Sequence, residues 1–350
     1  MYDAPGWEPG EVALTVGGEP LPAAANIFSP PCDVAAPLVA AGTLAELEAA
    51  QIGGRVVVLY GSLTAEPLIP LNCPVYNTER DQRINRLLLR RQPAAVLTVN
   101  PNPPATDARI EDSDFTLPSA TVAAETGRRL LARLGEDVHL RIDSTSRPAQ
   151  AVTVVGRTPG AHDARVTLMA HYDAKHDTPG ALDNAGGVAV LLALAERLAG
   201  DALPVGLEFV AFGDEEYFAE TDGLYAERYA DELPGIVLAL NFDAVGQVLG
   251  TDTITLMPGA SDALRAVLEG VVSRRPGMIW ADPWPQSNHS TFAFRGVPSA
   301  AFTAQGVTGL HHQPADTVAW ASAGKLAEVA QVAAEIVSVV QGKSPEWARG

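Results

Sequence analysis

Five short segments of the chain concentrate histidine, aspartate and glutamate. They are residues 170–173, 180–187, 212–216, 241–243 and 311–317. Together they offer imidazole nitrogens and carboxylate oxygens, which are the donors that zinc takes in proteins and that manganese or cobalt also accept. If the segments meet in space, we expect them to hold metal ions. An acid beside such a ligand would be placed to move a proton.

Each segment, taken alone, also has an ordinary structural explanation. Asp183 opens a predicted helix and could serve as its N-terminal cap. The consecutive acids Asp214, Glu215 and Glu216 could form a solvated loop, although adjacent carboxylates repel one another unless a cation or a proton compensates. The two histidines at 311–312 could simply be exposed. Only the combination of the five segments favours a metal site.

The elements that must position these segments are alternating strands and helices. Apolar runs predict strands at 138–142, 151–155, 166–170, 207–212, 236–242 and 300–303. Amphipathic patterns predict helices at 119–134, 187–199, 223–231, 262–274 and 323–340. This alternation indicates an α/β fold, a mixed central sheet with helices on both faces. In such a sheet, functional groups gather beyond the carboxyl ends of the strands, which is where the five segments fall.

The first third of the chain is rich in proline and glycine and predicts a separate, small α/β unit. Strands are predicted at 11–16, 55–60 and 94–99, with an amphipathic helix at 78–91 between the last two. The proline-rich residues 101–104 break this pattern, so we expect a linker at 101–115. The predicted domains are therefore 1–115 and 116–350.

The composition excludes several classes of protein. A formal net charge of -18 argues against nucleic-acid binding and against polybasic association with a membrane surface. No apolar stretch is long enough to span a membrane, and no basic segment followed by an apolar run begins the chain. We therefore expect a cytoplasmic protein, unless a longer precursor is exported. Two cysteines, Cys32 and Cys73, are too few for a disulfide framework.

The ordered motifs HYD, GALDNAGG, GDEE, NFDAVG and HHQPADT resemble those of the di-zinc aminopeptidases, family twenty-eight of the metallopeptidases, which includes bacterial leucyl aminopeptidases. The resemblance runs from about residue 119 to the C-terminus and implies two zinc ions per chain. His171 and Asp243 would bind the first ion. Glu216 and His312 would bind the second, and Asp183 would bridge both.

The same resemblance implies how the site would act. The chain would remove N-terminal residues from peptides with a free N-terminus, using a hydroxide that bridges the two metal ions. Glu215 would be the general base, and Asp173 would orient His171. His311 stands where some relatives carry a tyrosine, and it would stabilise the transition state.

Other features follow from the resemblance. It implies a cis peptide bond between Asp183 and Asn184. The first third, with its segment GGRVVVLYG, resembles a protease-associated domain. From their position directly after Glu216 in the sequence, and not from the resemblance, Tyr217 and Phe218 would shape a side-chain pocket whose preference the sequence does not define. His162 lies in a polar segment and is expected to be an exposed loop residue.

Three other functions remain open. A glutaminyl cyclase would use the same architecture with one zinc, although the Asp183-Asn184 pair and the glycines after it are more similar to the peptidases. A zinc carboxypeptidase or deacylase of the related family would carry an extra domain between Glu216 and His312, where the sequence has none. A non-catalytic binding protein could retain the fold, although all five ligands and the base are present.

The sequence departs from the family pattern at residues 287–289, which read Ser-Asn-His where the family often has Ser-Asp-His.

Overall fold

The computed structural model describes residues 1–71, 73, 78–102, 108–159, 163–198, 200–201, 203–217, 220–306 and 309–350. Within these residues the chain forms two compact units. The N-terminal unit comprises Asp3–Gln150, and the C-terminal unit comprises Met1–Tyr2 together with Ala151–Gly350. His162, Ala199, Phe218 and part of the predicted linker lie outside the described residues.

The N-terminal unit is built on a mixed sheet of eight strands. Its elements in chain order are β1 (Tyr2–Glu8), β2 (Val12–Val16), β3 (Glu19–Leu21), β4 (Ala24–Ala25), β5 (Cys32–Ala41), α1 (Leu44–Ala49), β6 (Val56–Leu59), α2 (Glu79–Arg91), β7 (Ala95–Asn100), β8 (Ser119–Ala123), α3 (Ala124–Leu131), β9 (Asp137–Ile142) and β10 (Thr145–Ala151). A short helical turn covers Gly61–Leu63. The strand order of the sheet is β3-β2-β9-β5-β6-β7-β8-β4, and β1 pairs separately with β10. Cys32 and Cys73 are unpaired thiols.

The middle of this sheet is parallel and buried on both faces. All four side chains of β6 are buried, as expected for a parallel strand that is covered on both sides. Val56 and Val58 pack in one apolar cluster, whereas Val57 and Leu59 pack in a second cluster that includes Ile84 of α2. The predicted strand, helix and strand between residues 55 and 99 are therefore confirmed.

Residues 119–134, predicted as one helix, form a strand followed by a helix. β8 pairs in parallel with β7 and is mostly buried, and α3 begins only at Ala124. The β-branched residues Thr121 and Val122 suit the strand, so the amphipathic stripe belongs to α3 alone. Because β8 and β9 complete the sheet, the N-terminal unit extends to Gln150, and the predicted division between residues 115 and 116 falls inside it. Its likeness to a protease-associated domain stays a prediction.

The C-terminal unit is built on a second mixed sheet, of seven strands. Its elements are β11 (Val154–Arg157), β12 (Arg165–His171), α4 (Gly187–Leu198), β13 (Gly206–Phe212), α5 (Glu220–Arg228), β14 (Ile236–Phe242), β15 (Thr251–Leu256), α6 (Asp262–Val272), β16 (Met278–Trp280), α7 (His289–Ala293), β17 (Ser299–Gln305), α8 (Ala323–Val339) and α9 (Pro345–Ala348). Short helical turns cover Ala181–Gly186, Ala230–Gly235 and Val318–Trp320. The strand order is β11-β13-β12-β14-β17-β15-β16.

Four neighbouring strands of this sheet run parallel. β13, β12, β14 and β17 pair in parallel, so their carboxyl ends meet at one edge. β11 is antiparallel to β13 and β15 is antiparallel to β17, whereas β16 is parallel to β15. One apolar cluster joins the sheet to α4, α6 and α8, and another includes Tyr225 of α5 and Phe292 of α7. Helices thus cover both faces, which confirms the predicted fold class.

The predicted elements of this unit differ from the observed ones mainly at short segments. The predicted strand at 138–142 is β9 and belongs to the N-terminal sheet, and the predicted strand at 151–155 spans the end of β10 and the start of β11. β15, β16 and α7 were not predicted. None of the described helices is both long enough and apolar enough to cross a membrane.

Candidate metal centre

His171 is the last residue of β12 and is buried, with 1% of its surface exposed. Its Nε2 lies 3.2 Å from Oδ1 of Asp183 and 3.4 Å from Oδ1 of Asp243. On the other side of the ring, Nδ1 lies 3.2 Å from the carbonyl oxygen of Asp173 and 3.5 Å from its Oδ1. Nε2 therefore points toward two carboxylates while Asp173 fixes the ring, which is how a ligating imidazole is usually held.

Asp173 also organises the neighbouring loop. Its two carboxylate oxygens accept the backbone N–H groups of Glu215 and Glu216, each at 3.1 Å. Burial alone would raise the pKa of Asp173, but the His171 imidazole and the two N–H groups outweigh burial and lower it. Asp173 is thus an anionic link between the end of β12 and the acidic turn after β13.

Asp183 lies between two imidazoles. Its Oδ1 faces Nε2 of His171, and its Oδ2 lies 3.1 Å from Nε2 of His312. Burial would raise the pKa of Asp183, but hydrogen bonds and charge interactions with these two histidines lower it. The peptide bond between Asp183 and Asn184 is cis, as the family resemblance implied. One carboxylate therefore faces both sides of the centre.

The backbone that carries Asp183 is held by Asp316. The carboxylate of Asp316 is fully buried and accepts the N–H of Leu182 at 2.8 Å and that of Asp183 at 3.1 Å. Asp316 lies in the HHQPADT motif, but the sequence assigned it no role. An acid within a motif that already supplies a ligand was the available signal.

Asn184 joins this turn to the end of β14. Its Nδ2 donates to the carbonyl oxygen of Phe242 at 2.9 Å, and its Oδ1 accepts the N–H of Gly187 at 3.0 Å. A Cβ atom at Gly187 would collide with both Asn184 Oδ1 and Phe242 O. The glycine that opens α4 is therefore required by the close approach of the helix start to the strand carrying Asp243.

The acidic turn after β13 supplies Glu216. Glu216 Oε2 lies 3.3 Å from Nε2 of His312, and its buried Oε1 accepts no hydrogen bond from the described residues. Asp214 in the same turn has a left-handed backbone (φ 77°) and accepts a hydrogen bond from the Tyr2 hydroxyl. Burial and the neighbouring carboxylate of Asp183 raise the pKa of Glu216 to about 9. Burial likewise raises the pKa of Glu215.

Asp243 and His312 complete the centre from different kinds of segment. Asp243 follows β14 directly, and its N–H donates to the carbonyl oxygen of Phe302 at 3.0 Å. His312 lies on the loop after β17 with a left-handed backbone (φ 59°), and half of its side chain is exposed. The five predicted ligands therefore lie together although they come from five separate segments.

These donors fit two cations that share one ligand. His171, Asp183 and Asp243 form one group, and Asp183, Glu216 and His312 form another; within each group the ligand atoms lie within 4.8 Å of one another. Imidazole and carboxylate donors in groups of three suit zinc. Burial and Asp183 disfavour the ionised form of Glu216, and its Oε1 has no hydrogen-bond partner among the described residues; a bound cation would favour the ionised form.

His311 is outside both donor groups. Its Nε2 lies 2.7 Å from Nε2 of Gln247, a buried residue that the sequence did not single out.

The Ser-Asn-His segment, residues 287–289, lies against β14. Asn241 Nδ2 donates to Ser287 Oγ at 2.8 Å and lies 3.5 Å from Nδ1 of His289. These residues therefore support the neighbouring strand and loop rather than the cation sites.

The sequence model of Peptidase family M28 matches residues 153–337, more than half of the chain. The chain belongs to this family. The matched residues contain all five predicted ligands and lie within the C-terminal unit. The predicted family is therefore confirmed.

Individual curated relatives share part of their length with this chain. A probable lipoprotein aminopeptidase, LpqL of Mycobacterium tuberculosis, is 29% identical over 135 residues, which are 38% of this chain and 27% of that protein. Leucine aminopeptidase 2 of Trichophyton rubrum is 25% identical over 247 residues, which are 69% of this chain and 48% of that protein. The chain thus spans about half the length, or less, of these curated relatives.

A solved structure extends the likeness of fold to the whole chain. The zinc aminopeptidase BSAP of Bacillus subtilis superposes with a TM-score of 0.75 at 18% identity, covering 100% of this chain and 88% of the other. At this identity the superposition shows a common fold. It includes the N-terminal unit, which the family model does not match.

Proposed function

We propose that this chain is a metal-dependent aminopeptidase that removes the N-terminal residue from peptides and uses two zinc ions. The observation that carries the proposal is the position of Asp183, whose two oxygens face the imidazoles of two separate donor groups. Membership of a peptidase family and relatives described as aminopeptidases support the same reaction.

The chain's own residues would hold the metal ions as the sequence predicted. His171 and Asp243 would bind one ion, and Glu216 and His312 would bind the other. Asp183 would be shared. When bound, two zinc ions acidify a water molecule and polarise the scissile carbonyl group.

Glu215 would move the proton. It directly precedes Glu216, its N–H is fixed by Asp173, and its carboxyl group interacts with the charges of His171 and Asp243. A carboxylate here can accept a proton from the attacking water and return it to the nitrogen of the leaving amine. Asp173 would fix the position of this base relative to His171, since its carboxylate contacts both the Glu215 N–H and the His171 ring.

His311 would donate a hydrogen bond to the oxyanion that forms at the scissile carbonyl. It directly precedes His312, and its ring is anchored by Gln247. A donor of this kind contributes about 3–4 kcal/mol to transition-state stabilisation in other acyl-transfer enzymes.

The general base is tested by Glu215→Gln. We expect normal zinc content and a loss of turnover of about 10²–10⁴-fold, because the amide cannot accept the proton. The matched control is Glu196→Gln, an exposed position on α4 that should keep full activity. Undiminished hydrolysis of aminoacyl-anilides by Glu215→Gln would reject this role.

The reaction class and the metal count are tested on the wild-type protein. Anilides with a free amine should be cleaved and their N-blocked counterparts should not, while elemental analysis should find two zinc ions per chain. Cleavage of blocked substrates alone would refute an aminopeptidase. One tightly bound zinc with cyclisation of N-terminal glutamine would favour a cyclase, and absence of bound zinc and of turnover would favour a binding protein.

A further inference from the structure

Gln247 is a buried amide beside the candidate metal centre. It lies on the loop that follows β14 and Asp243, and 1% of its surface is exposed. Its Nε2 is 2.7 Å from Nε2 of His311 and 3.5 Å from the carbonyl oxygen of Ala244. It contacts the histidine directly before the ligand His312, so its role concerns the proposed reaction.

The backbone around Gln247 is fixed on several sides. Gln247 forms an antiparallel bridge with Ala321, and the N–H of Val248 donates to the carbonyl oxygen of Trp320 at 2.8 Å. Nζ of Lys325 donates to the carbonyl oxygen of Gln247 at 2.9 Å. The backbone that carries the Gln247 amide is therefore held by contacts to Trp320, Ala321 and Lys325.

The contact between the two nitrogens determines where the imidazole carries its proton. An amide nitrogen donates hydrogen bonds and does not accept them, so Nε2 of His311 must be the acceptor. A neutral imidazole with an accepting Nε2 carries its proton on Nδ1. In this orientation Oε1 of Gln247 is buried without a hydrogen-bond partner among the described residues, whereas the flipped amide would set Oε1 against the Ala244 carbonyl oxygen, which lies 3.5 Å from Nε2.

We propose that Gln247 is a positioning residue that keeps His311 in the tautomer with its proton on Nδ1. The Nδ1–H group is then the donor that His311 presents to the reacting carbonyl. The catalytic consequence rests on the proposed function of the chain, whereas the tautomer itself is a property of the protein alone.

The tautomer is measured directly by NMR. Protein labelled with ¹⁵N-histidine is studied at about pH 8, with and without zinc, and the His311→Gln variant identifies the His311 signals. We expect Nδ1 of His311 to carry the proton and Nε2 to be unprotonated. A proton on Nε2 in the wild-type protein overturns the proposal, and this test requires no variant of Gln247 to fold.

Two substitutions then test whether Gln247 sets the tautomer. In Gln247→Glu a carboxylate that only accepts faces the ring, so the His311 proton should move to Nε2; in Gln247→Leu no donor remains, and the preference for Nδ1 should weaken. With equal zinc content, we expect Gln247→Glu to lower kcat about 10–100-fold with little change in KM, as for other residues that orient a functional imidazole. The control, Gln305→Glu, adds the same charge at an exposed position near this loop and should change neither the His311 signals nor kcat.

The outcomes separate this proposal from the function of the chain. If the Nδ1 proton persists in both Gln247 variants, Gln247 does not set the tautomer and the proposal fails. If Gln247→Glu moves the proton but leaves kcat unchanged, the positioning role stands and the proposed participation of His311 in the reaction fails.

Discussion

The two donor groups of the C-terminal unit are built in different ways. His171 ends β12 and Asp243 follows β14, so these two ligands are fixed by the hydrogen bonds of a buried parallel sheet. Glu216 and His312 lie on loops, and half of the His312 side chain is exposed. Asp183 belongs to both groups. The comparison teaches that one donor group is organised by the sheet, whereas the other depends on side chains that brace its loops.

The largest effect should come from removing the ligand that the two groups share. Asp183→Ala takes one donor from each group and removes the carboxylate that lies between the imidazoles of His171 and His312. We expect zinc content to fall well below one ion per chain and turnover to fall on the order of 10³-fold or more. Retention of one full zinc ion, measured by elemental analysis after dialysis, would show that the two groups are independent of Asp183.

The difference between the two donor groups is tested by replacing one histidine of each group with alanine. In the metal-free protein, His171→Ala leaves buried acids without their partner and should lower the free energy of unfolding by about 3 kcal/mol. His312→Ala removes a half-exposed contact and should cost less than about 1 kcal/mol. Urea unfolding measures both, and equal losses would mean that the sheet does not distinguish the two sites.

Zinc titration of the same two variants sharpens this prediction. His312→Ala should still bind one zinc ion tightly, because its remaining group is the buried one. His171→Ala should bind zinc weakly at both sites, because it loses a donor of the buried group and its intact group is the one carried on loops. The reverse order of affinities would contradict the sheet-based explanation.

A smaller effect is expected at Asp316, which braces the backbone of the shared ligand. Asp316→Ala leaves the N–H groups of Leu182 and Asp183 without their acceptor, and we expect zinc affinity to fall about 10–100-fold. Asp316→Asn keeps one carbonyl oxygen and should lose less. Calorimetric zinc titration compares the two variants. Equal zinc affinities would show that Asp316 does not act by accepting these N–H groups.

A pH-dependent effect is expected at His289, which lies against Asn241 of β14. Burial lowers the pKa of His289 from 6.5 to about 4, so the unfolded chain binds a proton more readily than the native protein does. The stability due to neutral His289 is present above about pH 6.5 and is lost as the pH falls toward 4. We expect a loss of about 2 kcal/mol between pH 7 and pH 5. Urea unfolding at both pH values should show this loss in the wild-type protein and a smaller one in His289→Gln.

The sequence predicted the C-terminal sheet and the convergence of the five candidate ligands, because the signals for both are local. An uninterrupted apolar run such as 236–240 indicates a buried strand or helix, and an acid or histidine shortly after it is visible by inspection. The family, and the choice of Glu216 and His312 over their neighbours Glu215 and His311, came from the order of the motifs and not from any single pattern.

What the sequence missed depends on contacts between distant segments. Two β-branched residues, Thr121 and Val122, are too weak a local signal to separate a strand from the start of a helix, and pairing with β7 decides it. Asp316 acquires its role only because the turn at Ala181–Gly186 folds against it. The contact between Gln247 and His311 joins the loops after β14 and β17, and no sequence pattern predicts it.

Asp173 has a consequence for transplanting this centre onto another scaffold. Its carboxylate restrains the imidazole of His171 and simultaneously anchors two successive amides of the neighbouring acidic turn. A graft that copied only the five ligands would reproduce their identities but leave two loops free to drift independently. The smallest portable version of the site therefore has to carry this acid with it.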